Sequence, residues 1–81
     1  MDKVKLRNLN HAVYLLVSEQ DLQINVAYST SHSKALGKWI TVWVEVGEDW
    51  YNWIANDDKE LDQITSMLLC LFNSLTWGRE E

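Results

Sequence analysis

The sequence predicts an α+β fold, with a three-stranded antiparallel sheet flanked by an N-terminal and a C-terminal helix (αβββα). Three observations lead there. Leu6, Leu9, Val13 and Leu16 recur at helical spacing near the start of the chain, as do Leu61, Ile64, Leu68, Leu71 and Leu75 near its end. Leu22, Ile24, Val26 and Tyr28 alternate with Gln23, Asn25 and Ala27, the period of a half-buried strand. Two β-prone runs, 39–46 and 50–54, flank Gly47 in the pattern of a hairpin. With 81 residues, 47% of them hydrophobic, and no proline, the chain fits one compact domain over residues 1–81 and leaves no room for a second.

The first helix is expected over 3–18, with Ala12 and Val17 beside its apolar stripe and Asp2 as its N-cap. The rival reading is a strand over 11–17, where Val, Tyr and Leu are frequent, but the spacing favours the helix. The first strand follows over 22–28. Residues 29–38, rich in Ser with Thr30, His32 and Gly37, then read as a mobile loop. Its Ser, His and Lys residues resemble a catalytic set in composition, but neither a Gly-x-Ser-x-Gly elbow nor an acid partner accompanies them.

In the hairpin, a two-residue loop of Gly47 and Glu48 puts Gly47 at the first central position of a type II′ turn, which needs a positive φ. Val46 then faces Asp49, Glu45 faces Trp50, Trp43 faces Asn52 and Val42 faces Trp53. One side carries Ile40, Val42, Val44, Val46, Tyr51 and Trp53. The other carries Trp39, Thr41, Trp43, Glu45, Trp50, Asn52 and Ile54, too polar for a core and too aromatic for an ordinary solvated face. A register shifted by one would bury Asn52 opposite Val44 and leave its amide in need of partners.

Asn56 or Asp57 opens the last helix, and Asp57 with Glu60 has the form of a capping box. Phe72, Met67, Leu69 and Cys70 broaden its apolar surface, so it is either deeply buried or shared with another chain. Gly78 stands where a helix C′ residue is expected, and residues 79–81 as a frayed end. The lone Cys70 excludes an internal disulfide and reads as a buried thiol. Both helices on one side of the sheet would bury Leu22, Ile24, Val26, Tyr28, Val42, Val44 and Trp53 and leave the second side open; helices on opposite sides would cover it.

Net charge is −5, unevenly spread. Residues 1–44 hold five basic and three acidic groups, whereas 45–81 hold two basic and nine acidic. The acids gather at the hairpin (Glu45, Glu48, Asp49) and at the start of the last helix (Asp57, Asp58, Glu60, Asp62), a distribution that repels phosphate backbones and attracts basic clefts. The second group lacks the alternating ligands and glycine of a calcium loop and reads as capping. His11 and His32 stand alone, without metal-ligand spacing, and no phosphate-binding glycine loop is present. The expectation is therefore a protein without enzymatic activity, cofactor or metal. No signal-peptide layout or membrane-length apolar run is present, so a soluble, cytoplasmic protein is expected.

The candidate partner-binding residues are Trp39, Trp43, Glu45, Glu48, Asp49, Trp50, Asn52 and Ile54. Tryptophan-centred patches with polar rims are typical of protein interfaces. Single-stranded nucleic acid also stacks on such rings, but it requires a basic groove. Two other readings stay open: a nucleic-acid-binding αβββα domain using Lys3, Lys5, Arg7, Lys34 and Lys38, and a small structural homodimer that uses the aromatic side as its interface.

In order and spacing, Asn8 and Leu9, the segment 22–28, the β run 40–46 and a late helix ending near Trp77 resemble phage-encoded inhibitors of bacterial dGTPase, over most of the chain. Anti-CRISPR proteins are similar in their small, acidic, single-domain character. The resemblance implies an inhibitor of a host enzyme or defence complex, acting in the host cytoplasm by blocking a basic or nucleotide-handling surface. It carries no functional residue over, because it rests on residue type and spacing without a residue-by-residue signature.

Overall fold

The computed structural model describes residues 2–19 and 23–77. It has the expected order: α1 (Lys3–Ser18), β1 (Ile24–Ser33), β2 (Gly37–Val46), β3 (Asp49–Ala55) and α2 (Asp58–Trp77), with the strands in sheet order β1-β2-β3 and both pairings antiparallel. The expectations for Leu22 and Gly78 lie outside the described residues.

Capping fixes where each helix starts. The Asp2 carboxylate accepts the Val4 N–H at 2.7 Å, opening α1. At α2 the Asp57 carboxylate accepts the Glu60 N–H at 2.8 Å, and the Glu60 carboxylate reaches back to the Asn56 N–H at 3.1 Å, one residue before the usual target of a capping box. The two helix starts are tied together. The Asp2 N–H donates to the Asp58 carboxylate at 2.9 Å, and Lys5 pairs with Asp62, so α1 and α2 begin at the same end and run side by side in the same direction.

Both helices lie on one face of the sheet. Leu9, Ala12 and Leu16 of α1, Leu61, Ile64 and Leu68 of α2, and Ile24, Ile40, Val42, Val44 and Ala55 of the sheet form the buried core. Those five sheet residues share one side, because Ile24 pairs with Val46, Ile40 with Ala55, and Val42 and Val44 lie two and four residues along from Ile40. Val26, Tyr28 and Trp53 are half-buried at its margin. Tyr28 donates its hydroxyl to the Asn10 side chain at 2.9 Å, which fastens β1 to α1. Thr65, the one buried polar residue described, donates to the Leu61 carbonyl at 3.0 Å and so carries no unpaired hydroxyl into the core.

The hairpin register is the expected one, from Val46 opposite Asp49 to Val42 opposite Trp53. Gly47 has φ +60°, and no described residue other than glycine has a positive φ; the negative φ this leaves to Glu48 fits type II′.

Two expectations fail. Residues 29–38 are not a mobile loop. β1 continues to Ser33, β2 begins at Gly37, and only 34–36 form the turn, with Gly37 at φ +76° and the Leu36 N–H bonded to the Ser33 hydroxyl at 2.9 Å. Ser and Thr satisfy an edge strand as readily as a loop, and the paired register with Lys38, Trp39, Ile40 and Thr41 decides the matter. Cys70 is exposed rather than buried. At about 100° per residue, position 70 lies half a turn round the helix from Leu61, on the side away from the core. Val17 is 50% exposed, beside the stripe but outside the contact it makes.

Candidate functional site

Neither described helix lies on the second face of the sheet. Its side chains form rows across the strands: Asn25, Glu45 and Trp50; Ala27, Trp43 and Asn52; Ser29, Thr41 and Ile54; Ser31 and Trp39. This brings Trp39, Trp43, Glu45, Trp50, Asn52 and Ile54 onto one surface, as their alternation requires. Trp50 is 62% and Ile54 53% exposed, both on the edge strand β3. Trp39 and Trp43 are half-buried. They sit on the central strand, flanked on β1 by Ser31 and Ala27 and, for Trp43, on β3 by Asn52.

The remaining two candidates are placed differently. Glu48 lies in the turn, and Asp49 stands opposite Val46, which assigns it to the helix-bearing side. The acidic groups therefore wrap the hairpin tip instead of ringing the aromatic rows. Glu45, Glu48 and Asp49 are all exposed and form no ion pair among the described residues.

The second acidic group is a separate feature. β3 leads from the hairpin tip to Ala55, so its seven residues hold the tip about 20 Å from the start of α2. There Asp57 caps, Asp58 and Glu60 accept backbone N–H groups, and Asp62 pairs with Lys5. Each acid has a structural task. The Lys5 ammonium is held above its ordinary pKa, chiefly by the hydrogen bond to Asp62, against a smaller desolvation effect, with the charges of Asp62, Asp58 and Asp2 adding to the rise.

The same geometry bears on the basic residues. Lys3, Lys5 and Arg7 start α1, and Lys34 in the β1–β2 turn and Lys38 just after it lie at the end of the sheet where Ile40 pairs with Ala55 and α2 begins. They share that end with Asp57, Asp58, Glu60 and Asp62, so no unbroken basic surface forms. His11 and His32 are exposed, and the described residues contain no group of three or more His, Cys, Asp or Glu that could hold a metal ion. No helix among the described residues is long and apolar enough to cross a membrane.

Three exposed apolar positions carried no signal in residue type or spacing. Leu36, at the β1–β2 turn, is 76% exposed, and Tyr14 on α1 is 63% exposed. Tyr51 is 46% exposed on the helix-bearing side, where it stacks on Trp53 with ring centroids 5.8 Å apart. Along β3 cover runs out towards the hairpin: Ala55 is sealed, Trp53 half-buried and Tyr51 open. Comparison with protein-family models, curated proteins and solved structures gave no significant match.

Proposed function

We propose that the chain is a non-enzymatic protein-binding module that docks through the open aromatic face of its sheet, and that its role is to inhibit a bacterial enzyme or defence complex. The observation that carries the docking reading is the exposed Trp50 beside Trp43 on a face that neither described helix covers. A large aromatic ring kept in water by a domain this small lowers its solubility, and such rings are the usual anchors of protein interfaces. The acidic tip beside them favours a partner with a basic margin and disfavours nucleic acid. The inhibitory role rests on the resemblance to small phage inhibitors.

Trp43→Ala and Trp50→Ala should each abolish recovery of the partner when the tagged chain is captured from its native host and the bound proteins are identified by mass spectrometry. Circular dichroism of both variants should match the parent. Undiminished capture, or loss of the folded state, would count against the face as a docking surface. A salt titration against single- and double-stranded oligonucleotides tests the nucleic-acid reading, which predicts binding that weakens steeply with salt.

A further inference from the structure

The two edges of the sheet differ in a way that the docking face does not account for. β1 is free of charge and proline, but Ile24, Val26 and Tyr28, which turn their backbone groups to its open edge, are buried or half-buried, and none of its large apolar side chains is exposed. β3 likewise presents a run of six uncharged residues, 50–55, without proline or bulge, but its exposed apolar side chains point to both faces: Trp50 and Ile54 to one, Tyr51 to the other. A regular, uncharged, apolar edge strand is a template for another strand. We infer that β3 is the interface of a homodimer, pairing antiparallel with β3 of a second copy about a two-fold axis at Asn52.

The register follows from the hairpin. In a two-residue hairpin the residues flanking the loop, Val46 and Asp49, exchange hydrogen bonds, so Asp49, Tyr51, Trp53 and Ala55 turn their backbone groups towards β2. Trp50, Asn52 and Ile54 turn theirs to the open edge. Antiparallel pairing centred on Asn52 sets Asn52 against itself and Trp50 against Ile54 in both directions, which uses all three outward-facing residues of each copy. The same register places Tyr51 of one copy beside Trp53 of the other on the helix-bearing side, and Asp49 beside Ala55, so that no charge faces its own copy.

The helix layer leaves space for the second strand. A groove of about 960 Å³ meets this edge at Trp53 and Ile54 and is lined from α2 by Lys59, Glu60, Gln63 and Met67, of which Met67 is 42% exposed. Position 67 falls near the height of Asn52, given the rise along β3 and back along α2, so the two copies of Met67 would approach each other close to the axis. A seven-residue strand pair is small for a stable interface, and the acidic tip of each copy would lie near the start of α2 in the other. Association is therefore concentration-dependent and strengthens as salt screens that repulsion. The second copy would also extend the aromatic face, bringing its Ile54 beside Trp50.

Sedimentation equilibrium of the full chain over a concentration series, at low and high salt, should find a monomer–dimer equilibrium shifted to dimer by salt. Asn52→Pro removes an outward N–H that no β2 bond uses, and should weaken the dimer at least about tenfold. Should that variant lose its fold, a cysteine pair decides instead. Asn52→Cys in a Cys70→Ser background should oxidise to a covalent dimer, because directly paired residues lie within disulfide reach, whereas Ser31→Cys in the same background, by the other edge, should not. A chain that stays monomeric throughout, or a dimer that persists in Asn52→Pro or links equally through position 31, would overturn the inference. Trp43→Ala leaves β3 intact, so it should abolish partner capture and spare the dimer, separating this interface from the docking face.

Discussion

The two faces of one sheet are built from neighbouring residues of the same strands, yet they have opposite fates. On β2, Ile40, Val42 and Val44 are sealed beneath both helices, while Trp39, Thr41 and Trp43, their direct neighbours, lie on a face that neither described helix covers. The aliphatic face holds the molecule together, and the aromatic face contributes surface. Residue type tracks that division: β-branched side chains fill the space beneath the helices, and the larger indoles stand where size is not limited by packing.

Substitution on the two faces should therefore separate stability from binding. Leu61→Ala, at a position with no exposed surface, should destabilise the fold by about 2–5 kcal/mol in urea unfolding, because it removes buried methyl groups and leaves a cavity. Trp50→Ala removes a far larger side chain but should cost less than about 1 kcal/mol, the worth of cross-strand contacts on a solvated face. Equal losses from the two would erase the distinction.

A smaller effect is expected where the helical cover is anchored. Asp57→Ala leaves the Glu60 N–H without its 2.8 Å partner and should cost about 0.5–2 kcal/mol, while Asp57→Asn should retain most of the stability. The smallest effect concerns Lys5, which links the two covering helices through Asp62. Its folded-state pKa is raised, so its contribution is complete below the unfolded-state value, is constant through neutral pH, and is lost as pH rises through the raised folded value. Denaturant midpoints of the parent and Lys5→Met should differ by the same small amount from pH 6 to about 9 and converge only in strong alkali. A gap that closes between pH 6 and 8 would contradict that assignment.

The order of elements was legible because each signal was local. Helical spacing placed α1 and α2, Asp2 and Asp57 marked their starts, and Gly47 fixed the hairpin register. Readings that depended on tertiary context failed. Ser29 to Ser33 resemble a loop by composition, and only pairing along β2 makes them strand. Cys70 is an apolar residue whose exposure depends on how wide an arc its helix buries, which the sequence does not state. Tyr51 follows the alternation faithfully and is nevertheless exposed, because the cover over β3 ends before it. At the candidate site the shared face of Trp39, Trp43, Glu45, Trp50, Asn52 and Ile54 was readable from period-two alternation, whereas the separation of the two acidic groups by the length of β3 emerged only from the fold.

The most direct test of the account measures the solvent contact of individual indoles in the isolated monomer. Fluorine NMR of the fluorotryptophan-labelled chain, assigned by single Trp→Phe variants, reports each ring's exposure as the shift between light and heavy water. The account predicts the largest shift at Trp50 and intermediate shifts at Trp39 and Trp43. Vanishing shifts at Trp43 and Trp50 in a dilute monomer would mean that the aromatic face is covered by the chain itself, and the docking surface would not exist.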